Sequence, residues 1–245
     1  MTKILLEVPV FTIEAALLAN RFGVDRLELC SDFGEGGVTP SVGALAFLKE
    51  KMKTPIFVMI RPRGGDFVYT EEEIEVMRRD IQILSSYGAD GFVFGVLDEK
   101  GNIDKRACEV LIKESRGKPC TFHRAFDVCS NPFMALEEII DCGFKRILTS
   151  GMRNSVSEGL KIISELLKLA QDRIIVMPGG GLKPSDVEKL KPSKRLLEVH
   201  ASCKSYRNSK SIYTSNDLNL SQNIDTSNKV LTLDEKVLSE FNKVL

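Results

Sequence analysis

Eight short apolar runs, near residues 4–10, 26–30, 56–61, 91–96, 119–124, 146–150, 173–178 and 196–201, alternate along this chain with stretches of helical periodicity. Strand followed by helix, repeated without interruption, calls for parallel strands joined by right-handed crossovers. Eight such units predict an α/β chain folded as a closed, TIM-type (β/α)8 barrel. A doubly wound open sheet is the alternative, but no Gly-x-Gly-x-x-Gly turn follows the first run. Helices are expected at 12–22, 41–52, 70–87, 104–115, 131–142, 155–170 and 184–190. In the third of these, Ile74, Met77, Ile81 and Leu84 recur at helical spacing behind a Thr70/Glu73 capping box. Thr12, Ser41, Asp104 and the Asn131-Pro132 pair stand where other helices should start.

A chain of 245 residues, 43% of them hydrophobic, can bury roughly 70–75% of its unfolded surface. One domain spanning 1–245 is therefore expected. The repeat breaks after the eighth run, because residues 204–229 hold eleven Ser or Asn among twenty-six. An extended Ser/Asn-rich loop over 204–233 is expected there, either a lid or disordered, ahead of a terminal helix over 234–244.

Thirty-four basic residues balance thirty-four acidic ones, so no global positive field gathers nucleic acid. No apolar run approaches the roughly 20 residues that span a bilayer, and the start of the chain reaches Glu7 too soon for a secretory h-region. A cytoplasmic protein with neither nucleic-acid nor membrane partners is the expectation. Cys30, Cys108, Cys120, Cys129, Cys142 and Cys203 are dispersed and form no Cys-x-x-Cys pair, so they read as reduced thiols.

Side chains alternate along a strand, so parity asks which polar groups can share the barrel interior. Glu7, Glu28 with Cys30, Arg61 with Arg63, Thr121 with His123, and Glu198 with His200 can all point inward. Leu6, Val8, Leu27, Leu29, Val58, Ile60, Phe122, Leu197 and Val199 then face the helices. Because both faces of a barrel sheet are covered, inward charge has two readings. One is a structural ion-pair network in which Glu7, Glu28 and Glu198 are balanced by Arg61 and a histidine. The other is a catalytic rim for a small anionic or phosphorylated metabolite. On that reading Arg61 and Arg63 grip the anion, and Glu28, His123, Asp127 or His200 moves a proton.

Glycine-rich turns follow strands two, three and seven. Gly179, Gly180 and Gly181, with Thr149 and Ser150 after strand six, could present donors to an anion, or could simply be tight turns. No strand ends in the lysine a Schiff-base aldolase needs, and neither a Walker loop nor a His-Glu-x-x-His helix occurs. With only two histidines, a Zn or Fe centre is not signalled.

Arg26-Leu-Glu-Leu-Cys30, Glu35-Gly-Gly-Val-Thr-Pro-Ser41, Ile60-Arg-Pro-Arg-Gly-Gly-Asp-Phe67, Thr121-Phe-His-Arg-Ala-Phe-Asp127, Leu148-Thr-Ser-Gly151 and Leu197-Glu-Val-His200 together resemble the CutC copper-homeostasis family, over residues 4 to about 208. The resemblance implies a cytosolic TIM-type barrel, often a homo-oligomer, associated with copper tolerance and Cu(I) binding. Relatives often carry cysteine just after strand one, where this chain reads Glu7-Val-Pro9-Val10. Cu(I) favours thiolates, so Cys30 is the candidate metal ligand, with Cys203 or Cys129 as substitutes for the missing sulfur.

Overall fold

A computed structural model describes residues 3–213 and 228–245. Eight parallel strands form the inner wall: β1 Leu5–Val10, β2 Arg26–Leu29, β3 Ile56–Met59, β4 Gly91–Phe94, β5 Cys120–Phe122, β6 Arg146–Thr149, β7 Ile175–Pro178 and β8 Glu198–His200. They are hydrogen-bonded in the order β7-β6-β5-β4-β3-β2-β1-β8, so β8 returns to pair with β1. At the seam between β7 and β8 the walls meet by packing: a Cβ on Gly179 would fall 2.8 Å from Cβ of His200. Only glycine fits there, and a nearly closed (β/α)8 barrel results.

Seven helices cover the outside: α1 Ile13–Arg21, α2 Val42–Lys51, α3 Glu71–Ser86, α4 Lys105–Glu114, α5 Pro132–Cys142, α6 Val156–Ala170 and α7 Pro184–Leu190. The start signals act as expected. Thr12, Ser41, Asp104 and Asn131 each accept a backbone N–H of the first turn, and Thr70 with Glu73 forms a reciprocal capping box. Gly143 ends α5 at φ +92°, the left-handed conformation that costs glycine least.

The alternation of strand residues separates two apolar layers. Leu6, Val8, Leu27, Leu29, Val58, Ile60, Phe122 and Val199 are buried in the large cluster between sheet and helices. Phe57, Met59, Val93 and Cys30 form a separate, smaller cluster inside the barrel. Leu197 departs from the expected pattern. It precedes β8 and is 45% exposed, on the wall of a surface hollow that it shares with Leu167 and Ala170 of α6.

The expected loop over 204–233 is partly regular. Its ends pair as an antiparallel ribbon, β9 Lys204–Asn208 with β10 Lys229–Leu233, and helix α8 Glu235–Val244 follows. The part of the expected loop at 214–227 lies outside the described residues. The ribbon is fastened to α1, since Thr12 Oγ1 donates to the Leu231 carbonyl (3.2 Å) and Arg207 pairs with Glu14. Composition hid it because each strand is only five residues long and its partner lies more than twenty residues away.

Candidate functional site

The inward charges divide into two levels. Toward the N-terminal end, Arg26 bonds both Glu7 and Glu198, and Arg146 donates to Glu198 through Nε (3.0 Å) and Nη2 (3.4 Å). Both guanidinium groups lie over the Phe57 ring, at 4.7 and 5.0 Å from its centroid. The expected structural network is therefore present, with His200 on Glu7 as the expected histidine but with Arg26 and Arg146 in place of Arg61. Arg26 and Arg146 balance Glu7 and Glu198, whereas Arg61 takes no part.

Above this quartet the chain of charges continues through His200. Its Nδ1 lies 2.9 Å from Glu7 Oε1, and its Nε2 lies 3.8 Å from Glu28 Oε2. Burial alone would raise the Glu7 pKa, but the Arg26 charge and the His200 contact bring it down to about 2. Burial opposes the His200 imidazolium, yet its hydrogen bond to the Glu7 carboxylate and the charges of Glu28 and Glu7 hold its pKa above the ordinary histidine value. Glu28 has no such counter-ion at bonding distance. Burial lifts its pKa to about 7, and the fixed negative charge of Glu7 adds to the rise against the pull of His200. Glu28 Oε1 also has no hydrogen-bond partner. A buried carboxyl poised near neutrality beside a protonatable imidazole can both accept and return a proton.

A cavity of about 280 Å³ opens over this pair at the C-terminal face of the strands. Arg61 and His123 stand on its wall. The Arg61 guanidinium donates to the carbonyls of Glu35 (2.6 Å), Gly37 (3.1 Å) and Gly65 (2.8 Å), so it clamps the glycine-rich loops after β2 and β3, and it stacks on Phe67. Its Nε–H is buried with no partner. His123 caps a 3-10 turn over Arg124–Val128, its Nδ1 accepting from the Ala125 N–H at 3.2 Å. The other nitrogen, Nε2, then carries the hydrogen, and it too is buried without a partner. Burial, with the Arg61 charge beside it, pushes the His123 pKa down to about 3. Both the Ala125 N–H on Nδ1 and the lowered pKa favour a neutral His123 that offers Nε2–H as a donor, rather than the acid or base near neutrality that the sequence suggested.

Several expected site residues serve the framework instead. Asp127 accepts from Thr149 Oγ1 (2.6 Å), Ser150 N (3.0 Å), Ser150 Oγ (2.9 Å) and Met152 N (3.2 Å), so it ties down the loop after β6. The Thr149 and Ser150 donors are spent on it. Gly179 donates its N–H to the Thr149 carbonyl, while Gly180 and Gly181 do line the cavity. Arg63 turns away from the cavity to pair with Glu73 and Asp66. Glu198 lies in the quartet, out of reach of the opening.

Sequence parity missed Arg26, Arg146, Arg124 and Lys204. The first two sit at the first positions of β2 and β6 and share the inward parity, which was the available signal. Arg124 follows His123 directly, and an unbroken strand would have turned it outward. The 3-10 turn swings it onto the cavity wall. Lys204 arrives from β9, over the Phe33 ring at 4.6 Å.

The sequence profile of the CutC family matches residues 4–205 of this chain. The chain belongs to the CutC family. A human protein named copper homeostasis protein cutC homolog is 49% identical over 205 residues, which cover 84% of this chain and 75% of that one. A CutC family protein of Histophilus somni is 37% identical over 239 residues, 98% of each chain. Among solved structures, a CutC protein from Streptococcus agalactiae superposes with a TM-score of 0.76 at 31% identity, covering 82% of this chain and 99% of that one. Deoxyribose phosphate aldolase from Aeropyrum pernix, at 13% identity and a TM-score of 0.58, shares the fold alone.

The copper implied by the family name does not fit the donors present. Among the described residues, no group of three or more His, Cys, Asp or Glu side chains is arranged to hold a metal ion. All six cysteines are unpaired and buried. Burial and the neighbouring Glu28 carboxylate push the Cys30 thiol well above its ordinary pKa, which opposes the thiolate that Cu(I) prefers.

Proposed function

We propose that this CutC protein is an enzyme that moves a proton on a small anionic metabolite bound at the C-terminal rim of the barrel. One observation carries the reading: three residues on one cavity wall, Glu28, Arg61 and His123, each hold a buried polar atom with no partner. Native proteins pair their buried polar groups, so three unpaired ones around one cavity mark places for ligand atoms. The Arg61 and His123 N–H groups suit an oxygen that gains negative charge in the reaction. Glu28 takes a proton from the adjoining C–H or O–H, and protonated Glu28 or His200 returns it. Proton exchange, isomerisation and elimination all use this step.

The test is deuterium uptake from D2O, followed by NMR, across a panel of anionic hydroxy and carbonyl compounds. Uptake into one class of compound is expected, with loss in Glu28→Gln and His123→Ala. Wild-type uptake in both variants would remove the assignment.

Direct Cu(I) binding is the second reading, and it draws its support from the names the relatives carry. Anaerobic titration of the reduced protein against a calibrated Cu(I) chelator, beside Cys30→Ser, decides it. Stoichiometric binding lost in that variant establishes copper handling; weak binding unchanged by it leaves the metabolite reading alone. The unpaired cysteines suit a reducing, cytoplasmic setting. Half-exposed Val76, Ile83 and Tyr87 along α3 suit a homo-oligomer, for which light scattering is the check.

A further inference from the structure

Arg124 is the cavity cation that the proton-moving chemistry leaves unused. Its Nε donates to Asp127 (2.8 Å), and its Nη2 donates to Ser150 Oγ (2.9 Å). Asp127 is itself held by four donors from the loop after β6, so the guanidinium has a fixed base. Nη1 has no partner among the described residues. Against this guanidinium lies the glycine turn after β7. A Cβ on Gly180 would fall 3.0 Å from Cζ of Arg124, and Gly180 and Gly181 have φ of +97° and +64°. Their N–H groups bond no described residue, and both glycines line the same cavity as Arg124. Lys204 and Arg61 add two more positive charges to a wall whose one acid is Glu28.

We propose that Arg124, with the N–H groups of Gly180 and Gly181, binds the phosphoryl group of a small phosphate monoester. The inference rests on the metabolite reading above and narrows its substrate class. A phosphoryl group offers three oxygens in a tetrahedron, which one guanidinium edge and two backbone N–H groups can share. A planar carboxylate offers two. The excess of fixed cations on the wall also suits a dianion better than a monoanion. Asp127 then acts as a positioning residue that holds the Arg124 fork. Glycine suits position 180 because its φ is positive and a Cβ there would press on the guanidinium, 3.0 Å from Cζ, and on Ser150 Cβ, 3.1 Å away.

The test is calorimetric titration of the full chain with inorganic phosphate and with glycerol 1-phosphate, against acetate and glycolate at constant ionic strength. One phosphate site per chain is expected, with the carboxylates much weaker. Arg124→Gln should weaken phosphate binding roughly ten- to a hundredfold, the usual loss for a charge-assisted bond. Gly180→Ala, which displaces the guanidinium without removing it, should weaken it in the same direction. Urea unfolding of each variant shows that it is folded. Glu28→Gln should keep or tighten phosphate binding, because it removes a negative charge. Phosphate affinity unchanged in folded Arg124→Gln, or acetate binding as well as phosphate, overturns the proposal. Deuterium uptake into carboxylates without phosphate binding sinks the phosphoryl site alone. Arg124-dependent phosphate binding in a protein that exchanges no substrate proton sinks the proton-moving reading alone.

Discussion

The lower and upper halves of the barrel interior use the same kinds of side chain to opposite ends. Below, Glu7, Arg26, Glu198 and Arg146 alternate in sign, and every carboxylate meets a guanidinium. Above, Glu28, Arg61 and His123 each keep one buried polar atom unpaired. A closed network of buried charges holds a shape, because removing any member strands another. An open one is a cost to stability that only a ligand offsets. The difference teaches that burial of charge alone does not mark a site; incomplete pairing beside a cavity does.

The comparison breaks most visibly at Arg26. Arg26→Met leaves Glu7 and Glu198 short of their shared cation and should cost about 3–5 kcal/mol in urea unfolding. A loss under about 1 kcal/mol would mean the lower network is not structural. Glu28→Gln should do the reverse at the upper level, lowering any turnover at least about a hundredfold while stabilising the fold. The sign follows from linkage. A carboxyl raised from 4.5 to about 7 contributes stability below pH 4.5 that is lost as pH rises to 7. The glutamine variant should therefore gain most above pH 7, by about 1–3 kcal/mol, and a melting curve at pH 8 against one at pH 5 reads it.

His123 sharpens the contrast at the acid end. A histidine lowered from 6.5 to about 3 contributes stability that is present above pH 6.5 and lost as pH falls toward 3. In His123→Asn that acid slope should flatten by about 1–3 kcal/mol over the window, and an unaltered slope would show that His123 is not held neutral. The smallest effect is expected from Arg63→Ala, whose partners Asp66 and Glu73 sit at the surface. It should change stability by less than about 1 kcal/mol and leave ligand binding alone; a large loss of binding would return Arg63 to the site.

Much of this was legible in the chain. The eight strands, the inward parity of Glu7, Glu28, His123, Glu198 and His200, and the capping of five helices follow from period and local hydrogen bonding. The division of labour among those residues was not. Arg61 and Arg63 look alike two positions apart, yet one is buried against loop carbonyls and the other pairs with α3. The two histidines end similar strands, yet one sits beside Arg61 and the other between two glutamates. Thr149 and Ser150 read as anion donors and Asp127 as a proton carrier, yet in the fold the Asp127 carboxylate accepts from the other two.

By itself, then, the sequence determined the barrel and the inward parity of its strand residues, because both depend on neighbours one to four positions away; the loop residues Arg63 and Arg124 were placed only by the fold. Tertiary structure alone decided which charges meet. Glu7 finds Arg26 across β1 and β2 and His200 across β1 and β8, through strand register between residues as far apart as 193 positions. A pKa is set by such neighbours and by the depth of burial around them, and neither quantity is carried by local pattern.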